Sequence, residues 1–192
     1  MVEKLVILAG GKSSRMRQDK ALLPFGGESS LAKYQCKRFK AIFRECFLSA
    51  KEDKFDFEAK VILDKSEIFS PLQALKSILE ELKEAVFVVG VDMPYLSKET
   101  IYKILESFDN SYDIVVAKHK NSLEPLCGVY NYKSLDIINH CLNQDIHKLN
   151  YLLKLSKTLA VEVKDGLDFT NLNYPKDYKE ATSLFDTISK KI

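Results

Sequence analysis

Residues 5–20, Leu-Val-Ile-Leu-Ala-Gly-Gly-Lys-Ser-Ser-Arg-Met-Arg-Gln-Asp-Lys, constrain the fold more than any other stretch of the chain. An apolar run without polar alternation stops at a pair of glycines and gives way to cations and hydroxyls. Val6, Ile7 and Leu8 suit a strand covered on both faces, the situation of a parallel sheet between helices. Gly10 and Gly11 are expected to take positive φ and to bring backbone N–H groups close to a ligand. The stretch reads as a buried strand opening into an anion-binding loop. Counting excludes two common phosphate motifs. A Walker A loop requires glycine five positions before Gly11, where Val6 stands, and a dinucleotide fingerprint requires a third glycine that is absent.

The rest of the chain repeats the theme. Ser29 and Ser30 can cap a helix with Leu31, Tyr34, Phe39 and Ile42 at helical spacing. Strands are expected at 46–50, 61–64 and 85–91, the last two ending in Asp64 and Asp92, with residues 51–60 a charged surface loop. Pro71 opens a helix carrying Leu72, Leu75, Ile78, Leu79 and Leu82. Ser97 caps the next helix, with Ile101, Ile104, Leu105 and Phe108 inward. Strands at 112–117 and 126–130, helices at 133–142 and 146–155 (the second capped by Asp145), an alternating edge strand at 159–163 and a last helix from Pro175 complete the reading. Strands alternating with helices predict an α/β fold of three layers, a mostly parallel sheet with helices on both faces. Such sheets bind ligands at the carboxyl ends of their strands, where strand order reverses. The glycine loop, Asp64 and Asp92 all follow such ends and are expected to share one crevice.

Composition narrows the partners. The 192 residues suit a single domain, with no linker, repeat or low-complexity segment. Net charge is +2 with signs interspersed, so no nucleic-acid polymer is expected as partner. No apolar run reaches the roughly 20 residues of a membrane span, and no signal peptide is visible, so a cytoplasmic protein is expected. Cys36, Cys46, Cys127 and Cys141 are far apart in sequence and read as buried thiols, and His119, His140 and His147 lack metal-ligand spacing. The Phe and Tyr residues fall at core positions.

Asp92 follows a strand that should be wholly buried, where packing alone does not explain a carboxylate. It is the candidate Mg²⁺ ligand, because magnesium takes one or two carboxylates together with substrate phosphates. Lys20, with Arg15 as partner, is the candidate cation for charge building on a leaving pyrophosphate. Asn171 and Asn173 have amides that both donate and accept, suited to the polar edge of a substrate or a phosphate oxygen, although Asn173 is equally placed to cap the helix from Pro175.

Leu8-Ala9-Gly10-Gly11, Ser13, Arg15-Met16 and Asp19-Lys20, together with Asp92-Met93-Pro94, resemble the signature of the nucleotidyltransferase superfamily, most closely the molybdenum cofactor guanylyltransferase family. The resemblance implies a Rossmann-like nucleotidyltransferase fold, with residues up to about 110 binding nucleotide and the later part binding the acceptor. It implies transfer of GMP from GTP to the phosphate of a molybdopterin cofactor, with Mg²⁺ on Asp92 and transient contacts with other molybdenum cofactor proteins. It assigns Leu8, Ala9, Gly10, Gly11, Lys20, Ser49, Asp64 and Asp92 to the nucleotide, and Pro125, Asn171 and Asn173 to the acceptor. Three positions depart from the family pattern: Arg17 and Ser70 stand for glycine, and Ser49-Ala50 for Asn-Ala. Two alternatives stay open at this point, a cytidylyl- or sugar-phosphate nucleotidyltransferase of the same fold, and a nucleotide-binding module without catalysis.

Overall fold

The structure, a computed structural model, describes residues 2–11, 15–164 and 167–189. Seven strands form one sheet: β1 (Lys4–Leu8), β2 (Glu45–Ala50), β3 (Lys60–Leu63), β4 (Val86–Gly90), β5 (Ile114–His119), β6 (Ser122–Tyr130) and β7 (Thr158–Val163). Their order across the sheet is β3-β2-β1-β4-β6-β5-β7. The β1–β2, β1–β4, β2–β3 and β5–β7 pairs are parallel, and β6 runs against β4 and β5. The mostly parallel sheet expected from the sequence is therefore present, with the reversal of strand order between β1 and β4.

Apolar alternation along each strand sorts side chains into two layers. Leu5, Ile7, Phe87, Val89, Val115 and Ala117 face α1 (Leu31–Phe39), α3 (Lys98–Ser107) and α6 (Pro175–Ser189). Val6, Val86, Val88, Ile114 and Val116 face α2 (Pro71–Leu82), α4 (Leu135–Asn143) and α5 (Leu149–Leu155). Because β1 and β4 are covered on both sides, their runs need no polar alternation. Two helix starts follow the caps read from the sequence, Ser30 and Ser97, and a third follows Pro71, with Ser70 as a cap the sequence reading did not name. Ser30 accepts from Lys33 N, Ser70 from Leu72 N ahead of Pro71, and Ser97 from Thr100 N.

Several boundaries differ, each for a local reason. β6 begins at Ser122, because its register with β5 jumps between Gly128 and Glu124 and accommodates Pro125, which has no N–H to give the ladder. β5 starts at Ile114 and not at Tyr112. Residues 132–134 form a 3₁₀ turn ahead of α4. α5 starts at Leu149, and Asp145 does not cap it: its backbone is left-handed, φ 57°, and its carboxylate pairs with His147 at 3.0 Å. The cysteines are not all remote, since Cys36 and Cys46 come within 3.6 Å, Sγ to Sγ. No helix among the described residues is long and apolar enough to cross a membrane.

Gly128 marks the tightest strand contact. A Cβ there would lie 2.2 Å from the Val115 carbonyl oxygen and 2.8 Å from Val116 Cα, both backbone atoms that cannot step aside. Gly128→Ala is expected to cost about 3 kcal/mol or more, the upper part of the range for an overfilled core, read as a lower urea midpoint in equilibrium unfolding.

Candidate active site

The strands do not end together by accident of length: backbone hydrogen bonds carry the pairing one step past the regular ladder. Ala9 N donates to Ser49 O (2.9 Å), Val91 N to Leu8 O (3.1 Å) and Asp64 N to Ala50 O (2.9 Å). A later segment joins them, since Leu172 N donates to the carbonyl of Asp92 at 3.0 Å. From the other side Gln35, fully buried in α1, donates through Nε2 to the carbonyls of Val91 (3.3 Å) and Met93 (2.9 Å), so both neighbours of Asp92 are held.

The result is a cavity of about 320 Å³ over the carboxyl ends of β1 to β4. Leu8, Ala9, Gly10, Gly11, Lys20, Ser49, Asp64 and Asp92, all the residues expected at the nucleotide, line it. Neither Gly10 nor Gly11 takes positive φ; that region holds Gly26, Gly27 and Arg17. The need for glycine at position 10 is closeness, because a Cβ would meet Ala50 Cα at 3.2 Å. Gly90 serves Asp92 in the same way, as a Cβ there would fall 2.7 Å from Asp92 Oδ1. The carboxylate thus occupies space that a side chain at position 90 would fill.

Three lysine–carboxylate pairs ring this cavity. Lys20 Nζ lies 2.7 Å from Asp92 Oδ2 and 3.3 Å from Asn173 Oδ1. Lys51 Nζ pairs with Asp64 at 2.6 Å and donates to the carbonyls of Ser66 and Ile68. Lys54 Nζ pairs with Asp19 and donates to Ala9 O at 2.9 Å. Residues 51–59 are therefore not a plain surface loop: Phe55 and Phe57 pack against the core, and two of the lysines turn inward. Lys51 was missed by sequence reasoning, yet it directly follows β2, where the strand-end rule points. Phe69 and Leu126 also line the cavity and have no sequence signal of their own. Lys20 does not pair with its neighbour Asp19, whose Oδ1 instead caps the 3₁₀ turn 20–22 at Ala21 N (3.0 Å).

The acceptor-side candidates separate. Asn173 turns its side chain toward Lys20 and does not cap α6; the helix start is instead tied back by Asp177 in its first turn, whose Oδ2 accepts from Asn173 N (3.0 Å) and Tyr174 N (2.8 Å). Asn173 N donates to Asn171 O at 3.0 Å, a three-residue turn that points the two side chains apart. Asn171 consequently lines a different cavity, beside Tyr95 and Glu180, and its buried Oδ1 has no hydrogen-bond partner among the described residues. Pro125 does not line the main cavity, though Leu126 does; its carbonyl accepts from Tyr130 Oη at 2.5 Å. Burial pushes the neighbouring Glu124 carboxyl above the usual carboxylate range. Arg15 is exposed, its guanidinium 5.6 Å over the ring of Tyr174, at the acceptor side rather than in the cavity wall. Ser13 lies outside the described residues.

Among the described residues no cluster of three or more His, Cys, Asp or Glu side chains can hold a metal. The donor set fits an ion that takes one carboxylate, Asp92, and completes its shell with substrate phosphates and water. Ser49 Oγ is buried in the cavity wall without a hydrogen-bond partner, an unmet polar group that a bound ligand can satisfy.

A family model described as the MobA-like NTP transferase domain matches residues 5–160. The molybdenum cofactor guanylyltransferase of Campylobacter jejuni, serotype O:6 strain 81116, is 38% identical over 181 residues, 93% of this chain and 94% of that protein. The molybdopterin-guanine dinucleotide biosynthesis protein A of Archaeoglobus fulgidus superposes with a TM-score of 0.83 at 21% identity, over 96% of this chain and 99% of its own. The 2-C-methyl-D-erythritol 4-phosphate cytidylyltransferase of Thermus thermophilus gives 0.72 at 16%, over 97% and 100%. The two structural likenesses establish the shared nucleotidyltransferase fold.

Arg17 now has a physical account. Its φ of 57° is the left-handed conformation that glycine adopts without strain, so the backbone path is kept and the side chain bears the cost. Arg17 is exposed, and Arg17→Gly is expected to raise the unfolding free energy by up to about 1 kcal/mol, since the strain relieved outweighs the entropy glycine adds to the unfolded chain. Urea denaturation of the two proteins measures it, and a loss of stability would contradict the strain argument.

Proposed function

The chain belongs to the MobA-like NTP transferase family and is a nucleotidyltransferase of that type; from this premise we propose that it transfers GMP from GTP to the phosphate of a molybdopterin cofactor, releasing pyrophosphate. The observation that carries the proposal is the Lys20–Asp92 pair with Asn173 on the same ammonium, because it joins the nucleotide cavity to the segment assigned to the acceptor. The name borne by the Campylobacter jejuni relative supports guanine as the base and molybdenum cofactor as the product.

In the reaction a phosphate oxygen of the acceptor attacks the α-phosphorus of GTP in line. The bond from that phosphorus to the α,β-bridging oxygen breaks, and pyrophosphate leaves with the electron pair. No protein nucleophile takes part. Lys20, fixed by the turn that Asp19 caps, meets the charge accumulating on the leaving phosphates, and a cation placed beforehand needs no reorganisation at that moment. Backbone N–H groups of the loop at Gly10 and Gly11 face the same phosphates. Asp92 would hold Mg²⁺, which would supply positive charge against the phosphates as negative charge develops on them. Ser49 and Asp64 take the nucleoside end of the cavity, and Asn173 with Arg15 the acceptor side. Asn171, turned into a separate cavity, supports the path of this segment more directly than it supports substrate contact.

The test is pyrophosphate release from each of GTP, ATP, CTP and UTP with Mg²⁺ and a molybdopterin source. GTP is expected to be preferred, with release dependent on molybdopterin, and a preference for CTP would remove the guanine assignment. GTP binding without turnover would leave a nucleotide-binding module. Lys20→Ala is expected to lower turnover at saturating nucleotide by roughly 10²–10³, the range for losing one such preorganised donor, and near-normal turnover would remove Lys20 from the mechanism.

A further inference from the structure

The turn after β2 supplies two ammonium groups, Lys51 in the cavity wall and Lys54 in the adjoining hollow beside Gly10, Gly11 and Asp19, that have little left to offer a substrate. Lys51 has three N–H donors, and three acceptors surround it: Asp64 Oδ2 at 2.6 Å, the Ser66 carbonyl, and the Ile68 carbonyl at 3.0 Å. Its ammonium also lies 5.1 Å over the ring of Phe69. Every one of these groups belongs to the strand end and loop of residues 64–69. Lys54 is engaged elsewhere, with Ala9 O at 2.9 Å and the Asp19 carboxylate. Those contacts lie at the two ends of the stretch from Ala9 to Lys20 that carries the phosphate-facing glycines.

Each lysine therefore acts through a different carboxylate. Asp19 uses Oδ1 to cap the turn 20–22 and Oδ2 to receive Lys54, so Lys54 fixes the carboxylate that fixes the backbone of Lys20. Asp64 is 5% exposed and gives Oδ1 to Ser66 N at 3.0 Å and Oδ2 to Lys51, so Lys51 sets the orientation of the carboxylate at the nucleoside end. Both lysines are mostly buried along their stems, with side-chain exposures of 20% for Lys51 and 16% for Lys54, so their aim is constrained by packing. The turn that carries them is held by Phe55 and Phe57 against the core.

We infer that Lys51 and Lys54 are a divided pair of positioning residues for nucleotide binding and transfer: Lys51 sets base selectivity through Asp64 and the 66–69 loop, and Lys54 sets turnover through Asp19 and Lys20. The inference rests on the nucleotidyltransferase reading of the cavity given above. It assigns the segment 51–54 the task of setting the cleft from both ends, the nucleoside end by one lysine and the phosphate end by the other. The carboxylates and loops, not the lysines, meet the nucleotide.

The experiment compares wild type, Lys51→Met, Lys54→Met and the arginine versions of each, measuring kcat and KM by pyrophosphate release and Kd for GTP and CTP by displacement of a fluorescent nucleotide. Melting temperature monitors folding of every variant. Lys51→Met is expected to raise KM and Kd for GTP about tenfold and to compress the GTP-over-CTP ratio by a similar factor, with kcat little changed, as for a displaced binding group. Lys54→Met is expected to lower kcat about tenfold while Kd for GTP holds, as for a displaced donor of transition-state charge. The arginine variants, which keep charge and donors, are expected to recover part of each loss. If wild type itself shows no preference for GTP, the guanine reading fails. If wild type prefers GTP but both methionine variants lose kcat and selectivity alike, or neither changes, the division of roles is overturned. An unfolded methionine variant shifts the decision to its arginine counterpart, where the same split between Kd and kcat must appear for the inference to stand.

Discussion

Four backbone hydrogen bonds beyond the regular sheet determine where everything else in the site can be. The bonds from Ala9 N, Val91 N and Asp64 N tie the ends of β1, β4 and β3 to neighbouring strands, and the one from Leu172 N brings the β7–α6 connection onto Asp92. Parallel strands end in register only if something pairs their last residues, because each enters its loop in the same direction. Here the pairing continues into the loops, so residues as far apart as Ala9, Asp64 and Asp92 become parts of one rim. Gln35 adds two side-chain bonds to the carbonyls on either side of Asp92, and its complete burial leaves it no competing water. An amide in such a position exchanges hydrogen bonds with water for hydrogen bonds with the site, and its loss would strand two carbonyls.

The rim carries three ammonium groups and three carboxylates, and their arrangement explains how three lysines can be held together at one cleft. Three cations close together would repel one another. Pairing Lys20 with Asp92, Lys51 with Asp64 and Lys54 with Asp19 removes that repulsion and holds the side chains in place. These pairs are partly shielded, so their geometry matters more than it would on an open surface, where such a pair contributes about 0–1 kcal/mol. Of the three, Lys20–Asp92 combines a candidate phosphate cation with a candidate metal ligand.

What the sequence made legible was whatever depends on one strand and the residue after it. The apolar runs ending at Gly10, Asp64 and Asp92 predicted the sheet and the rim together, and Ser30, Pro71 and Ser97 predicted three helix starts. Lys51 and Lys54 were not legible, because a lysine in a charged loop carries no mark of which carboxylate it will find. That choice is made by Phe55 and Phe57, whose packing turns the loop inward. The glycines misled in a different way. Gly10 and Gly11 suggested positive φ, whereas the left-handed residue of the loop is Arg17 and the demand at Gly10 is steric, set by Ala50 on the next strand. Conformation and closeness both select glycine, and only a neighbour's coordinates distinguish them. Cys36 and Cys46 make the same point, being ten positions apart in sequence and in contact in space.

The two sides of the site also differ in how firmly they are built. The cavity side consists of strand ends, of which those of β2, β1 and β4 are fixed by ladder bonds on both flanks and that of β3, at the sheet edge, by β2 alone. The other side hangs on residues 171–174, an irregular stretch held by Leu172, whose N–H binds Asp92 O and whose side chain is buried, and by Asp177, which reaches back from the first turn of α6 to the N–H groups of Asn173 and Tyr174. The family match ends at residue 160, before this stretch, yet Asn173 from within it reaches Lys20. A three-residue turn sends Asn171 into a separate cavity and Asn173 to the Lys20 ammonium, so a shift of one residue in that turn would exchange which amide meets Lys20. This side can therefore be altered by rebuilding a short connection, while the strand-end residues of the cavity stay fixed on the sheet. A fold kept at 16% identity, as between this chain and the Thermus thermophilus cytidylyltransferase, is an outcome such a division permits.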